Sequence, residues 1–506
     1  MTYNKAEVVT LEHDALQVLS LIRSVKNTFA PINKVPPDVL TLIPDYWEDS
    51  DMDQNLISLT HVCRSWREIF TLRPSLWARL DCTDVDKTRV YIERSRSFPL
   101  AVYISDDEDD SRWEEPFLLV VPHINRIKTL SVVAVTSQVI PVLVKNLSCR
   151  LPFLEEIVFD MEDYPLPDEL FNGDLSTVRE LSLGGVLTSL PWKNMSNLTT
   201  FTLHGIPKDA ILLTQMLNFF ESAPHIRDVH LHDSIPSSSD APVERVVCLP
   251  HLEKLEIIAQ PAHSILLNHL SIPAGASLSL EFSFSGGESP IPSYLPKSSD
   301  GLLNLSHITL INLFFGLGKR FVRLKGPSGE LQILGNWTRG DDKPNTGTGS
   351  FLRSLRSQFD LSGCRWLVIQ RCCFKPPSGS VTASIVYNTL LSLKNLSSLT
   401  LVRCHNLNFI LALNPKENPS GTLLCPKLEE ITLYIKDPDD LRVDELLGMV
   451  KGRASRDAKL SVIMVVSTGT LAPTKDVFQL RKHVSHVECK FDDALPEWDA
   501  LPAQAM

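Results

Sequence analysis

Cysteine is scarce in this chain, with ten in 506 residues and no two in Cys-x-x-Cys spacing. This excludes a scaffold built on disulfides and argues against a zinc knuckle. Because thiols stay reduced in the cytosol and nucleus, we expect a cytoplasmic or nuclear protein. No apolar run approaches the ~18 residues of a membrane span, and the first residues form no apolar signal region, so we expect no membrane partner.

Basic residues are outnumbered by acidic ones, 49 against 60, which gives a formal net charge of −11. A nucleic-acid binder usually has the opposite balance, so we expect no nucleic-acid partner. The hydrophobic share of 43% and the charged share of 22% are those of a globular protein. The length predicts about three domains or one long repetitive domain.

Catalytic motifs are missing as well. The sequence has neither a His-Glu-x-x-His zinc pair nor a Gly-x4-Gly-Lys-Ser/Thr phosphate-binding loop. The segment 275–279 imitates a nucleophile elbow around Ser277 but lacks its second glycine. We therefore expect a non-catalytic protein with no cofactor and no metal. A hydrolase acting through Ser277 is the third and weakest alternative.

Helical periodicity dominates the first 80 residues. The spacing of apolar residues over 15–29 predicts an amphipathic helix, and the same period recurs over 56–70. Pro36 and Pro37 lie where a helix can begin, and Pro44 ends or kinks that helix early. A helical module of about 50 residues is near the lower limit for an autonomous core, so we expect an apolar patch left for a partner.

This module resembles an F-box, on the segments 32–40 (INKVPPDVL), 59–67 (LTHVCRSWR) and 76–77 (LW). With 42–47 (LIPDYW) and 71–81 (TLRPSLWARLD), it is similar to F-box proteins of mushroom-type fungi. The resemblance implies docking on a Skp-type adaptor and, through it, on a cullin and a RING protein. It implies that the docking surface or its support is supplied by Val35, Pro36, Val39, Leu40, Leu59, Val62, Cys63 and Trp66.

From residue 121 onward one template recurs, apolar-x2-apolar-x2-apolar-x-apolar, as at Leu249/Leu252/Leu255/Ile257. Early copies follow one another at about 20–28 residues, within the period of leucine-rich repeats. The final alternation predicts a short strand, and helical patterns between strands predict parallel pairing. The chain resembles degenerate leucine-rich repeats, with the expected cysteine after the strand present as Cys372 and Cys404.

The predicted fold is therefore α/β, a small N-terminal helical F-box followed by an irregular, leucine-rich-repeat-like α/β solenoid. We expect an amphipathic helix over 1–30, the F-box-like module over 31–80 and an acidic linker leading into the solenoid over 81–120. The solenoid itself should span 121–490, with an insertion near 326–350, before a C-terminal tail over 491–506.

The repeat register also predicts which residues face the open side of the strands. His204 should lie beside His232, with His230 and Asp228 close by, and such imidazoles can bind zinc or titrate near neutrality. We favour solvated surface histidines, because a metal site also needs supporting groups. Acidic residues share this side, so we expect a partner with exposed Lys or Arg. The candidate target-binding residues are Glu156, Asp160, Glu180, His204, Asp228, His230, His232 and Glu256.

Two functions remain open from the sequence. The first is a substrate-recognition subunit of an SCF-type cullin–RING ubiquitin ligase, which binds the adaptor through the module and a target protein through the repeats. It would act by proximity, holding reactants together without a catalytic residue of its own. The second is a repeat scaffold for protein interactions without coupling to a ligase.

Overall fold

The computed structural model describes most of the chain and divides it into two compact units, Met1–Glu162 with Glu169–Asn172, and Asp163–Asp168 with Gly173–Met506. The residues that it describes are 4–46, 52–106, 113–134, 139–161, 169–185, 194–206, 211–234, 242, 244–259, 264–284, 301–315, 319–337, 355–357, 359–370, 381–404, 407–418, 421–435, 441–467 and 477–491. Among these residues, no helix has the length and hydropathy that a membrane span requires.

The first unit opens with four helices, α1 Lys5–Thr28, α2 Pro37–Leu40, α3 Met52–Val62 and α4 Arg64–Thr71. Asn4 caps α1 in a capping box with Glu7, so the helix lies within the predicted range 1–30 and extends beyond the periodic stretch 15–29. Pro37 occupies the first turn of α2, where no amide donor is needed. A 3-10 turn containing Pro44 follows α2, as the proline predicts.

The core of this helical module forms around Leu40, Trp66 and Phe70. Helix α4 supplies two of the three, because Trp66 and Phe70 are four residues apart and share one face of the helix. Their rings lie 5.7 Å apart between centroids. Partly buried side chains complete the cluster: Val35, Ile43, Leu59, Cys63, Ile69 and Leu76.

The same unit continues into a parallel sheet in which consecutive strands pair in chain order. Its elements are β1 Arg79–Asp81, α5 Val85–Ser95, β2 Leu100–Asp106, α6 Glu114–Val120, β3 Ile127–Ala134, α7 Val139–Leu147 and β4 Glu156–Met161. The structure differs here from the linker expected over 81–120. Leu100, Val102 and Ile104 alternate inward along β2, and the acidic composition nearby obscures this period-2 pattern. The acidic run 107–110 lies outside the described residues.

The second unit carries a large, mostly parallel sheet. Its first half comprises β5 Glu180–Gly184, β6 Thr200–His204, α8 Leu213–Ser222, β7 Asp228–His232, β8 Val247–Cys248, β9 Lys254–Ala259, α9 Ser264–Leu267, β10 Leu270–Ser271 and β11 Ser277–Phe284. Strands β5, β6, β7, β9 and β11 pair in that order, all parallel, and β8 pairs with β10 separately. Alternate side chains such as Phe201 and Leu203 are fully buried, as the repeat template predicts.

The second half of this unit comprises β12 Leu310–Phe315, β13 Lys319–Lys325, β14 Glu330–Trp337, β15 Trp366–Gln370, α10 Val381–Ser392, β16 Ser398–Val402, α11 Leu407–Leu413, β17 Glu430–Ile435, α12 Val443–Ala454, β18 Val462–Ser467 and β19 His486–Phe491. Strands β15 to β19 are parallel in chain order. Between the halves, β14, β13 and β12 form an antiparallel series that joins β11 to β15.

This antiparallel series corrects the predicted insertion near 326–350 in its first part. Residues 330–337 are strand β14, and Leu331 and Ile333 point into the core. Strands β13 and β14 are joined by a short loop. The amide of Gly326 closes this loop by donating to the carbonyl oxygen of Gly329 at 2.8 Å. The sequence signal is two alternating runs joined by four residues rich in glycine, which is typical of a hairpin. Residues 338–350 lie outside the described part of the chain.

Candidate functional site

The eight predicted adaptor-binding residues divide by their exposure. Leu40 and Trp66 are buried, and three more, Val35, Leu59 and Cys63, are partly buried in the same cluster. The surface set consists of Pro36, Val39 and Val62, with Val39 50% and Val62 54% exposed. The structure thus separates side chains that can contact a partner from side chains that support the module from inside.

Hydrogen bonds from two tryptophans hold the module together. The indole Nε1 of Trp66 donates to Oδ1 of Asn33 at 2.6 Å, which ties the segment before α2 to α4. Nε1 of Trp77 donates to the carbonyl oxygen of Phe70 at 2.9 Å. Because an indole N–H is costly to bury without an acceptor, both bonds fix the relative placement of these segments. Sequence reasoning missed Asn33, whose role only the folded geometry reveals.

Further apolar side chains on the module surface also escaped the sequence argument. Leu42, Ile57 and Leu72 are all exposed, on the segment after α2, on α3 and after α4 respectively. Large exposed apolar side chains on one small module are typical of a surface that a partner covers. For Ile57 the signal was available in the sequence, because this residue lies off the buried face of α3.

A second candidate site lies on the open side of the second unit, around β7 and β9. His230 pairs in register with Glu256, and its Nδ1 lies 3.1 Å from Oε2 of that carboxylate. Nζ of Lys254 lies 2.8 Å from the same oxygen. His204 pairs in register with His232, as the sequence predicts. The alternation of each strand, with every second residue buried, points these side chains to the open side.

The carboxylate of Glu256 stays ionised in this setting. The hydrogen bond from Lys254 holds the pKa of Glu256 below its ordinary value, and the charges of Lys254 and His230 act in the same direction. Burial acts in the opposite direction but does not prevail. Glu256 is therefore a fixed negative charge between two potential donors.

His232 is held neutral instead. Burial lowers the pKa of His232 below its ordinary value, and the neighbouring imidazoles of His230 and His204 lower it further. Glu256 and Asp233 act in the opposite direction. Its Nε2 is buried and makes no hydrogen bond within the described part of the chain. A neutral imidazole with an unused nitrogen can accept a proton or a metal.

The other predicted target-binding residues are dispersed. Glu180 and Asp228 flank Thr200 in register in the second unit. Two belong to the first unit: Glu156 accepts a hydrogen bond from Oγ1 of Thr129 at 2.9 Å, and Asp160 is exposed on β4. The second unit therefore brings together His204, His230, His232 and Glu256, with Asp228 at the start of β7 and Glu180 at the start of β5.

Neither Ser277, the nucleophile considered from the sequence, nor three buried cysteines have the surroundings of a catalytic group. Ser277 is the first residue of β11 and its amide donates to the carbonyl oxygen of Glu253, so it does not lie on a strand-to-helix elbow. Burial raises the pKa of the Cys82, Cys364 and Cys425 thiols to about 12. Thiols of this kind stay protonated at neutral pH and are poor nucleophiles.

Comparison with known families decides the nature of the helical module. A family model described as F-box-like matches residues 32–83. Residues 32–83 form an F-box-like domain. The match agrees with the predicted module over 31–80 and extends through β1, whose first residue is Arg79. No curated protein matches the chain.

F-box domains generally bind Skp-type adaptors, so the domain suggests an adaptor-binding role. Within it, Val39 and Val62 are the predicted residues with the most free apolar surface. Leu40, Trp66 and Phe70 form the core beneath. The F-box-like domain therefore has a packed apolar interior and individual apolar side chains on its surface, which suits a docking module.

Proposed function

We propose that this chain is a substrate-recognition subunit of an SCF-type cullin–RING ubiquitin ligase. The observation that carries the proposal is the F-box-like domain at residues 32–83. It would bind a Skp-type adaptor and, through the adaptor, a cullin and a RING protein. The chain would do no chemistry itself, because holding a target near the charged ubiquitin raises the effective concentration of the reactants.

We interpret the sheet region as degenerate leucine-rich repeats that bind the target. Strand follows strand in parallel order over β5 to β9 and again over β15 to β19. The thiol of Cys404, just after β16, donates to the carbonyl oxygen of Ile369 at 3.2 Å, which suits the polar position of such a repeat. Cys372 lies outside the described residues. The eight cysteines that the structure describes are free thiols, and we propose a cytoplasmic or nuclear location, where thiols stay reduced.

Adaptor binding is tested with surface variants that leave the core intact. The two variants are Val39→Asp, in the first turn of α2, and Val62→Lys, at the end of α3. A negative charge is favourable at the start of a helix and a positive charge at its end, so neither substitution should destabilise its helix. Isothermal titration of the purified chain with a Skp-type adaptor should show binding for the natural sequence and its loss in the double variant. Burying a charge in an apolar interface costs several kcal/mol, so the loss should exceed about 100-fold.

The matched control is Leu118→Lys, which changes a similarly exposed leucine on α6, outside the F-box-like domain. It should bind the adaptor like the natural protein. The ligase proposal fails if the natural chain does not bind the adaptor although circular dichroism shows that it is natively folded. The chain would then be an interaction scaffold without ligase coupling.

Target binding is tested by reversing charge on the open side of the sheet. In cells treated with a proteasome inhibitor, Glu180→Lys with Asp228→Lys should still capture the adaptor but lose the proteins captured through the repeats. The control reverses two exposed acids elsewhere, Glu93→Lys and Glu417→Lys. If the natural chain, the Glu180→Lys with Asp228→Lys variant and the control all capture the same proteins, the acidic target-binding surface is refuted.

A further inference from the structure

Three potential metal ligands converge on the open side of the second unit. His230 and His232 come from β7 and Glu256 from β9, and one ligand atom of each lies within 4.8 Å of the other two. The two histidines are two residues apart, so both point to the same side of the strand. Parallel pairing then sets Glu256 directly beside His230.

These side chains are available as ligands. Nε2 of His232 is buried and has no hydrogen-bond partner in the described part of the chain. A buried polar atom without a partner costs free energy that a bound ion would recover. Glu256 is ionised and lies 3.1 Å from His230, from its Oε2 to Nδ1. Two imidazoles and one carboxylate are a ligand set that zinc prefers.

We propose that His230, His232 and Glu256 bind a divalent transition-metal ion of the zinc type. Bonds of about 2 Å in tetrahedral geometry hold donor atoms about 3.3 Å apart, so small side-chain rotations suffice. Three protein ligands leave a fourth position for water or for a side chain of a bound partner. Lys254 must release Glu256, and it can do so because its side chain is 46% exposed.

Cobalt(II) and zinc titrations of the purified full chain, prepared without a histidine tag and treated with chelator, test the site. We expect one ion per chain and a tetrahedral cobalt absorption band that zinc abolishes. His232→Ala and Glu256→Gln should each weaken zinc binding at least about 10-fold, within the range for lost ligands or their supports. Lys254→Met should tighten it several-fold, because a competing cation is removed.

The matched control is the double variant His225→Ala with His251→Ala, a second histidine pair whose rings lie 5.3 Å apart. It should bind zinc like the natural chain, and thermal unfolding of every variant checks the fold. The proposal is overturned if the natural chain binds no zinc below about 100 µM. It is also overturned if the control loses as much affinity as folded His232→Ala, or if folded Lys254→Met binds more weakly.

An independent observation concerns helix α1. The structure describes all of its 24 residues, and none is buried. Ile22 is 60% exposed and Phe29, just beyond the helix, 73%. Apolar side chains recur at alternating intervals of three and four residues: Val8, Leu11, Ala15, Val18, Ile22, Val25 and Phe29. That spacing is the a/d pattern of a coiled coil over three heptads.

The charges beside this stripe indicate the direction of a partner helix. Glu7, Glu12 and Asp14 flank the N-terminal half of the stripe and outnumber Lys5 there, whereas Lys26 flanks the C-terminal half. A parallel copy would set acid against acid. An antiparallel copy that pairs Ala15 with Val18 of its partner sets Lys26 level with Glu7 of the partner and on the same flank as Glu12, and the reverse, so attraction between opposite charges replaces the repulsion.

We infer that α1 pairs with α1 of a second copy of this chain in an antiparallel coiled coil. The pairing would cover the exposed stripe and give a dimer of the proposed receptor. It does not depend on adaptor or target binding, because only residues of α1 and the adjoining Phe29 take part.

Sedimentation of the full chain over about 1–100 µM tests this inference. We expect a concentration-dependent dimer, monomers for Val18→Asp with Ile22→Asp, and dimers for the control Gln17→Asp with Ser20→Asp on the other side of the helix. Glu12→Lys should weaken the dimer several-fold, and adding Lys26→Glu should restore it. A natural chain that is monomeric throughout, or a control that dissociates as well, overturns the inference. Failure of the double charge exchange to restore association overturns the antiparallel direction.

Discussion

Replacing Trp66 by alanine should unfold the F-box-like domain rather than merely remove a contact with its partner. Trp66 is buried against Phe70 and Leu40. Truncating a buried tryptophan costs about 3–5 kcal/mol through lost burial and the cavity left behind. A module of about 50 residues has a free energy of unfolding of only a few kcal/mol. The substitution therefore removes most or all of the stability of the domain.

Hydrogen exchange measured by mass spectrometry suits this test, because it reports the F-box-like domain separately from the rest of the chain. Each 1.4 kcal/mol is a factor of ten, so protection of amides in α4 should fall by about 100-fold or more in Trp66→Ala. The surface variant Val39→Asp with Val62→Lys should keep its protection. If the chain binds the adaptor as proposed, both variants should lose it, the first by unfolding and the second by losing the contact.

The hydrogen bond between Trp66 and Asn33 allows a finer measurement. Trp66→Phe and Asn33→Ala each break it, and a double-mutant cycle should give a coupling energy of about 1 kcal/mol. Native protection of α4 in Trp66→Ala would refute the assignment of Trp66 to the core. A coupling energy near zero would refute the role of Asn33.

Three further predictions concern the second unit. Gly329→Ala should lower the free energy of unfolding by about 1–3 kcal/mol in denaturant titration, because its Cβ would lie 2.5 Å from the carbonyl oxygen of Ala274. Arg453→Met should cost about 2–5 kcal/mol in the same assay, because the buried guanidinium donates to the carbonyl oxygen of Leu424 at 2.8 Å and its loss leaves that acceptor unpaired. Since burial lowers the pKa of His232, the unfolded chain binds this proton more tightly than the folded one, so stability of the metal-free protein should fall as the pH drops below about 6.5. His232→Gln should flatten that pH dependence in thermal unfolding, and an unchanged slope would contradict it.

Periodicity predicted the parts of the fold that local physics controls. The template apolar-x2-apolar-x2-apolar-x-apolar locates strands such as β6, β7 and β9 because alternate residues of a half-buried strand must be apolar. The helical module was predictable for a similar reason, since prolines and the apolar face of α4 indicate where its helices begin and pack, whereas the F-box itself was recognised by the resemblance of 32–40, 59–67 and 76–77 to known members. The same reasoning missed strand β2 within 81–120 and strand β14 within 326–350, because charged residues and glycines nearby obscure the alternation of apolar residues.

The sequence by itself determined which residues are apolar at which period, and therefore the helical module, the strands and the register that sets His204 beside His232. Only the tertiary structure decided that Trp66 lies inside the module while Val39 stays outside, because exposure depends on which faces pack together. It also decided that His230, His232 and Glu256 meet, because the distance between their ligand atoms depends on how two strands that are far apart in the chain lie side by side. Patterns along a chain specify local conformation, whereas a site is made by contacts across it.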